Sequence, residues 1–248
     1  MQQRWPERLW IVRHGESRGN VARDAAQAAR SHRIETLDRD VDVPLSDRGE
    51  AQARALGRWF ADQPGEERPD VVLASPYRRA RQTAVLMGTP PADLIFDERL
   101  REKEFGILDR LTRYGIEAEH PQQAELRRAL GKFYHRPPGG ESWCDVILRL
   151  RSALDTISLH YGGARVLIVA HQVVVLCLRY LIEGMTEEQI LAIDREGDVA
   201  NCSVTAYAHD PSAGPRGGLV LQRYNFVAPL LEEGAPVTAE PDAPMAAR

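Results

Sequence analysis

Short apolar runs alternate along this chain with longer stretches of helical period, and each run stops abruptly at polar, charged or small residues. Leu9 to Val12 ends in Arg13-His14-Gly15, where the glycine is expected to let the chain turn tightly; Asp70 to Ala74, Leu94 to Phe96 and Val166 to Ala170 behave alike as runs. Runs this short, bounded by turn signals, read as buried strands. Between them lie helical candidates. An alanine-rich piece follows Asn20, a second runs from the N-cap Ser46 to Asp62 with Ala51, Ala55, Leu56, Trp59 and Phe60 inward, and a third follows Ser75-Pro76. Asp109 to Phe133 is helical but mixed. Ser142 with Asp145 forms a capping box for a helix to Tyr161, Val173 to Ile182 is an apolar helix, and Thr186 with Gln189 caps a short one. Ser203 to Tyr207 and Leu219 to Tyr224 read as an antiparallel pair about Asp210 to Gly214. This alternation predicts an α/β fold, a three-layer α/β/α sandwich with a mostly parallel central sheet and one antiparallel late strand.

Length and charge narrow the classes. One domain over residues 1–231 accommodates 248 residues, with 21–44 and 107–141 as insertions above the strand ends and 232–248, rich in Pro, Ala and Glu, as a disordered tail. The polar stretch Ser31 to Val43 is either a solvated loop or a lid. Thirty-two basic residues against 36 acidic ones give a net charge of −4 without a dense basic tract, which argues against nucleic acid as a partner. Only Lys103 and Lys132 are lysine. The three cysteines, Cys144, Cys177 and Cys202, sit in apolar surroundings and suggest reduced thiols in a cytoplasmic protein. No metal-ligand spacing is present, no cofactor is implied, and no apolar run approaches the ~20 residues that span a bilayer.

Three strands deliver ionisable side chains at their carboxyl ends: Arg13 and His14, then Arg78 or Arg79, then His171. Right-handed crossovers put successive strand ends on one edge of such a sheet, next to helix N-termini, so these groups can meet as an oxyanion site. At these residues the chain resembles the histidine phosphatase superfamily, also called phosphoglycerate mutase-like. Arg13, His14, Gly15 and Asn20 match its first signature, and Ser75, Pro76, Arg79, Ala80 and Thr83 its second. The family's acidic residue corresponds to Glu102, ahead of Phe105-Gly106, and its second histidine to His171. Gln172 stands where many members have glycine, as in the bisphosphatase domain of bifunctional fructose-bisphosphate enzymes. Arg136 to Ser142, with Glu141 inside it, resembles a branch of mutase-like phosphatases, while the Arg-Phe-Thr-Gly-Trp pattern of the mutases is missing after Asn20.

The resemblance implies a phosphomonoester hydrolase acting on a small phosphorylated substrate. His14 is then the nucleophile, a neutral imidazole attacking phosphorus through one ring nitrogen. Arg13, Arg79 and His171 hold the phosphoryl oxygens, and Glu102 protonates the leaving oxygen. Asn20, Ser17, Gln172 and Glu141 are assigned to substrate binding, though Ser17 serves equally well as a helix cap. Arg79 is preferred over Arg78, and Glu102 over its rival Glu104. The other histidines, His32, His120, His135, His160 and His209, are expected on the surface or in loops. A phosphoglycerate mutase, a sugar-bisphosphate phosphatase and a non-catalytic phosphate-binding module are the alternatives, and a homodimer is left open.

Overall fold

A computed structural model describes residues 4–36, 38–88, 93–215 and 217–239. In chain order the elements are β1 (Arg8–Arg13), α1 (Arg18–Ala28), α2 (Asp47–Asp62), β2 (Val71–Ala74), α3 (Arg78–Met87), β3 (Asp93–Phe96), α4 (Arg113–Glu119), α5 (Pro121–Tyr134) and α6 (Trp143–His160). Then come β4 (Arg165–Ala170), α7 (Gln172–Ile182), α8 (Glu187–Glu196), β5 (Val204–Asp210), β6 (Gly218–Phe226) and α9 (Ala228–Glu232). The sheet order is β3-β2-β4-β1-β5-β6. Neighbours from β3 to β1 pair in parallel, while β5 is antiparallel to both β1 and β6, so β5 alone runs against the rest.

Strand periodicity of two sorts the core into two faces. Leu9, Ile11, Val166 and Ile168 pack with Val146, Leu150 and Leu154 of α6 and Val174 and Leu178 of α7. Trp10, Val12, Leu167 and Val169 pack on the opposite face with Leu56 and Phe60 of α2 and Ala80 and Ala84 of α3. Both faces of the central strands are dry, which is why these runs carry no alternation. The helix starts follow their capping residues: the Ser46 hydroxyl accepts from the Gly49 amide, and Ser142 with Asp145 and Thr186 with Gln189 form reciprocal capping boxes. Among the described residues no helix is long and apolar enough to cross a membrane.

Three expectations change. The helical stretch before Phe133 is broken at His120-Pro121, where the proline ends α4 and begins α5. The tail expected to be disordered from residue 232 is anchored as far as Thr238, which is buried. Its carbonyl accepts from the Asn201 amide at 2.8 Å, and its hydroxyl bonds Asn201 Oδ1 and Gln52 Nε2. Gln52 and Asn201 are themselves fully buried amides that need polar partners, and the tail supplies them; residues 240–248 lie outside the described set.

Gly15, third, is needed for close approach rather than for its turn. A Cβ there would sit 2.5 Å from the Gly49 carbonyl oxygen, and one on Gly49 would sit 1.9 Å from that of Glu16. Two backbones, the one after β1 and the one opening α2, are thus pressed together without side chains between them, and the Ser46 amide bonds the Glu16 carbonyl at 2.9 Å. Gly49→Ala is expected to cost about 3 kcal/mol, because backbone and not a flexible side chain must move. Chemical denaturation measures it, and a cost below about 0.5 kcal/mol would contradict the contact.

Candidate active site

The pairing of β1 with β4 sets the site. Arg13 lies opposite Ala170, and the His14 amide donates to the Ala170 carbonyl at 2.9 Å, so His14 and His171 leave the sheet side by side. Their ring centroids are 5.1 Å apart, edge to face. On the other side of β4, the Ser75 amide bonds the Val169 carbonyl, and the Ser75 hydroxyl lies 2.8 Å from His171 Nε2. Helices α1, α3 and α7 all begin at this edge, with Ser17, Tyr77 and His171 as their N-caps. Three helix N-termini therefore add positive potential to the same place.

The hydrogen bonds assign the His14 tautomer. Nδ1 lies 2.6 Å from the carbonyl oxygen of Gly15, which can only accept, so Nδ1 carries the proton. At the other ring nitrogen the Nε–H of Arg79 donates to Nε2 at 3.2 Å. Nε2 is thus the atom with the lone pair, and a guanidinium stands beside it. The ring is fully buried and is held from behind: Asn201 Nδ2 donates to the His14 carbonyl, and the Gly15 amide donates to Thr83 Oγ1.

Of the arginine pair opening α3, Arg79 is buried and Arg78 is exposed. The remaining face of Arg79 holds Asp40: Nη1 donates to the Asp40 carbonyl at 2.7 Å and to its carboxylate at 3.1 Å. Asp40 belongs to the polar stretch before α2 and, with Thr36, Arg23, Asp109 and Arg110, lines the cleft above Arg79, Ser17 and Asn20. Segments 31–43 and 107–112 are stitched together there. Arg110, in a left-handed backbone conformation at φ 59°, donates to the Thr36 and Asp38 carbonyls, and the Thr112 amide donates to the His32 carbonyl. Burial and the neighbouring Asp40 raise the pKa of Asp109.

The other expected site residues take varied places. Arg13 is fully buried and donates to the Val199 carbonyl, while Gln172 donates to the Asp198 carboxylate. Ser17 and Asn20 cap α1 for each other, Ser17 accepting from the Asn20 amide and Asn20 Oδ1 from the Ser17 amide, while both line the cleft. Glu102 is buried, its Oε1 accepting from the Lys103 amide at 2.7 Å. Glu104 is exposed and accepts from the Tyr77 hydroxyl at 2.6 Å.

Glu141, expected at the substrate, is engaged elsewhere. Its carboxylate takes bonds from Arg101, Arg149 and the Glu104 amide, and Arg149 also donates to the Arg99 and Glu102 carbonyls. It splints the loop that bears Glu102. His135, expected on the surface or in a loop, lies in the loop after α5 and is buried there, its ring bonded to Gln123 Oε1. Sequence reasoning missed Asp40, Ser75, Tyr77 and Glu16; Glu16 is buried and takes bonds from Ser46 and Arg48. For Ser75 the signal was its place at the end of β2, the position that His14 and His171 occupy on their strands.

The family model for the histidine phosphatase superfamily (branch 1) matches residues 9–216. The chain belongs to this superfamily. Among its relatives within the histidine phosphatases, a probable phosphoglycerate mutase GpmB of Serratia proteamaculans is 28% identical, covering 90% of this chain and 94% of its own. A mycobacterial glucosyl-3-phosphoglycerate phosphatase, solved in complex with VO3, is similar at 27% identity and a TM-score of 0.69, over 89% of this chain and 99% of that one. A structure of Bacillus stearothermophilus YhfR matches at 26% identity and a TM-score of 0.69, over 90% and 98%.

One group beside Glu102 has a pH signature. Lys103 is buried, and desolvation, with Arg127 near it, lowers its pKa from 10.5 to about 8. Below pH 8 both folded and unfolded chains carry the proton, and the fold bears the cost of burying it. Between about 8 and 10.5 only the unfolded chain keeps it, so stability rises with pH through that window. Relative to Lys103→Met, the wild type is expected to gain on the order of 2 kcal/mol there; parallel stability curves for the two proteins would contradict this.

Proposed function

We propose that this histidine phosphatase hydrolyses the phosphomonoester of a small metabolite through a phosphohistidine on His14. The observation that carries this reading is the bonding of the His14 ring, with Nδ1 committed to the Gly15 carbonyl and Nε2 facing the Arg79 guanidinium. In the first step the Nε2 lone pair attacks phosphorus, the P–O bond to the alcohol breaks, and Glu102 gives its proton to the leaving oxygen. Arg13, Arg79, His171 and the helix N-termini stabilise the equatorial oxygens. In the second step Glu102 takes a proton from water, the oxygen attacks phosphorus, and the N–P bond breaks to restore the lone pair.

Several observations support the parts of this reading. Glu102 is buried on a loop that Arg149 and Glu141 brace. Ser17 and Asn20 line the cleft as candidates for substrate contact, and Gln172 sits at the start of α7 beside His171. The cleft mixes carboxylates, guanidinium groups and a hydroxyl, which suits a polar small molecule. Three free cysteines support a reducing, cytoplasmic setting. The likeness to probable phosphoglycerate mutases favours isomerisation as a second reading. Assays with p-nitrophenyl phosphate and 3-phosphoglycerate separate the two: phosphate release supports the hydrolase, and isomerisation without release supports the mutase.

His14→Ala is expected to lower p-nitrophenyl phosphate turnover by about 10⁴-fold or more. Glu102→Gln should slow an alkyl phosphate at least about tenfold more than p-nitrophenyl phosphate, whose leaving group needs no proton; equal slowing of both would remove the acid role. Asp40 competes with phosphate for Arg79, so Asp40→Asn should tighten product inhibition by phosphate about two- to fivefold, a modest effect because Asp40 is partly exposed. An unchanged inhibition constant would show that Asp40 does not contest the guanidinium.

A further inference from the structure

Behind the loop that carries Glu102 lies a second hollow, small and open to solvent, lined by Lys103, Phe105, Gln123, Arg127 and His135 with Leu108, Ile116 and Pro137. It shares no lining residue with the cleft at Arg79, Ser17 and Asn20. Lys103 is 5% exposed, and its ammonium lies 4.6 Å from the Phe105 ring centroid. Among the described residues it forms no ion pair, and neither does Arg127 on α5.

The nearby carboxylates are committed to other groups. Glu141 is held by Arg101 and Arg149, Asp194 by Lys132, and Glu102 Oε1 accepts from the Lys103 amide. His135 gives its Nε2–H to Gln123 Oε1. Two basic side chains and a buried imidazole thus face one small hollow whose remaining walls, apart from Gln123, are apolar. Burial lowers the pKa of Arg127 against the opposing pull of Asp194, and burial together with Arg127 and Lys103 lowers that of His135. An apolar wall limits how far water screens these charges. A small anion in the hollow would be drawn by both charges at once.

We propose that this hollow is a second anion-binding site, in which Lys103 and Arg127 hold a small doubly charged oxyanion of the class of phosphate and sulfate. Lys supplies a point charge and Arg a planar fork, the pairing that phosphate sites use, while Phe105, Leu108, Ile116 and Pro137 wall the hollow and favour a small ion. The site stands on residues outside the cleft and does not depend on the phosphatase reading.

Sulfate binding by isothermal titration calorimetry tests it on the full chain, with circular dichroism to check folding. The wild type is expected to bind two sulfates, Lys103→Met and Arg127→Met one each, and Arg79→Ala one. Arg127 is only half-buried, so its variant keeps the test alive if Lys103→Met fails to fold. A single wild-type sulfate that Arg79→Ala abolishes would overturn the proposal, as would unchanged stoichiometry and affinity in Arg127→Met. If instead Arg79→Ala binds as the wild type does while Arg127→Met loses one sulfate, the second site stands and the reading of the cleft falls.

Discussion

The parallel pairing of β1 with β4 is the constraint from which the site follows. With Arg13 opposite Ala170, the next residue on each strand is a histidine, and no loop conformation is needed to bring the two rings to 5.1 Å. A slip of one residue would turn one ring to the opposite face of the sheet and move a buried apolar row into the wrong layer. The dry strands on both faces therefore enforce the chemistry. Ile11 and Ile168 on one side and Val12 and Val169 on the other are each fully buried, and each is worth roughly 1.5–3 kcal/mol relative to exposure.

Positive charge is gathered at this edge at a cost the surroundings offset. Arg13 and Arg79 are buried, and both spend N–H groups on carbonyl oxygens, Arg13 on Val199 and Arg79 on Asp40. The carboxylate of Asp40 adds a counter-charge to Arg79. Nε2 of His14 accepts from the Arg79 Nε–H, so its lone pair faces a guanidinium rather than solvent.

Much of this was legible in the sequence, and the reason is locality. Strands whose ends carry His14 and His171 before helices are patterns of a few residues, as are the caps at Ser46, Ser142 and Thr186. What was not legible depends on partners far along the chain. Glu141 looks like a ligand until Arg149 and Arg101, eight and forty residues away, claim it. Thr238 looks like tail until the buried amides of Gln52 and Asn201 take it in. His135 has no motif, and only the fold of α5 over Lys103 buries it. Asp40 sits in a stretch without periodicity, and nothing in its neighbours signals that it reaches Arg79.

The two segments above the cleft are joined to each other by bonds of their own, separate from the sheet edge that carries His14 and His171. Segments 31–43 and 107–112 are bound to each other by Arg110, Thr112 and backbone bonds, and Gly115 lets the His32 carbonyl approach to where a Cβ would be 2.1 Å away. Holding Arg110 in the left-handed region costs about 1 kcal/mol, which the carbonyls it satisfies offset. The described side-chain bonds between this assembly and the catalytic edge run from Arg79 to Asp40. On the function proposed above, a phosphate taking over the guanidinium would displace the Asp40 carboxylate, while the bonds that Arg110 and Thr112 make between the two segments do not involve Arg79.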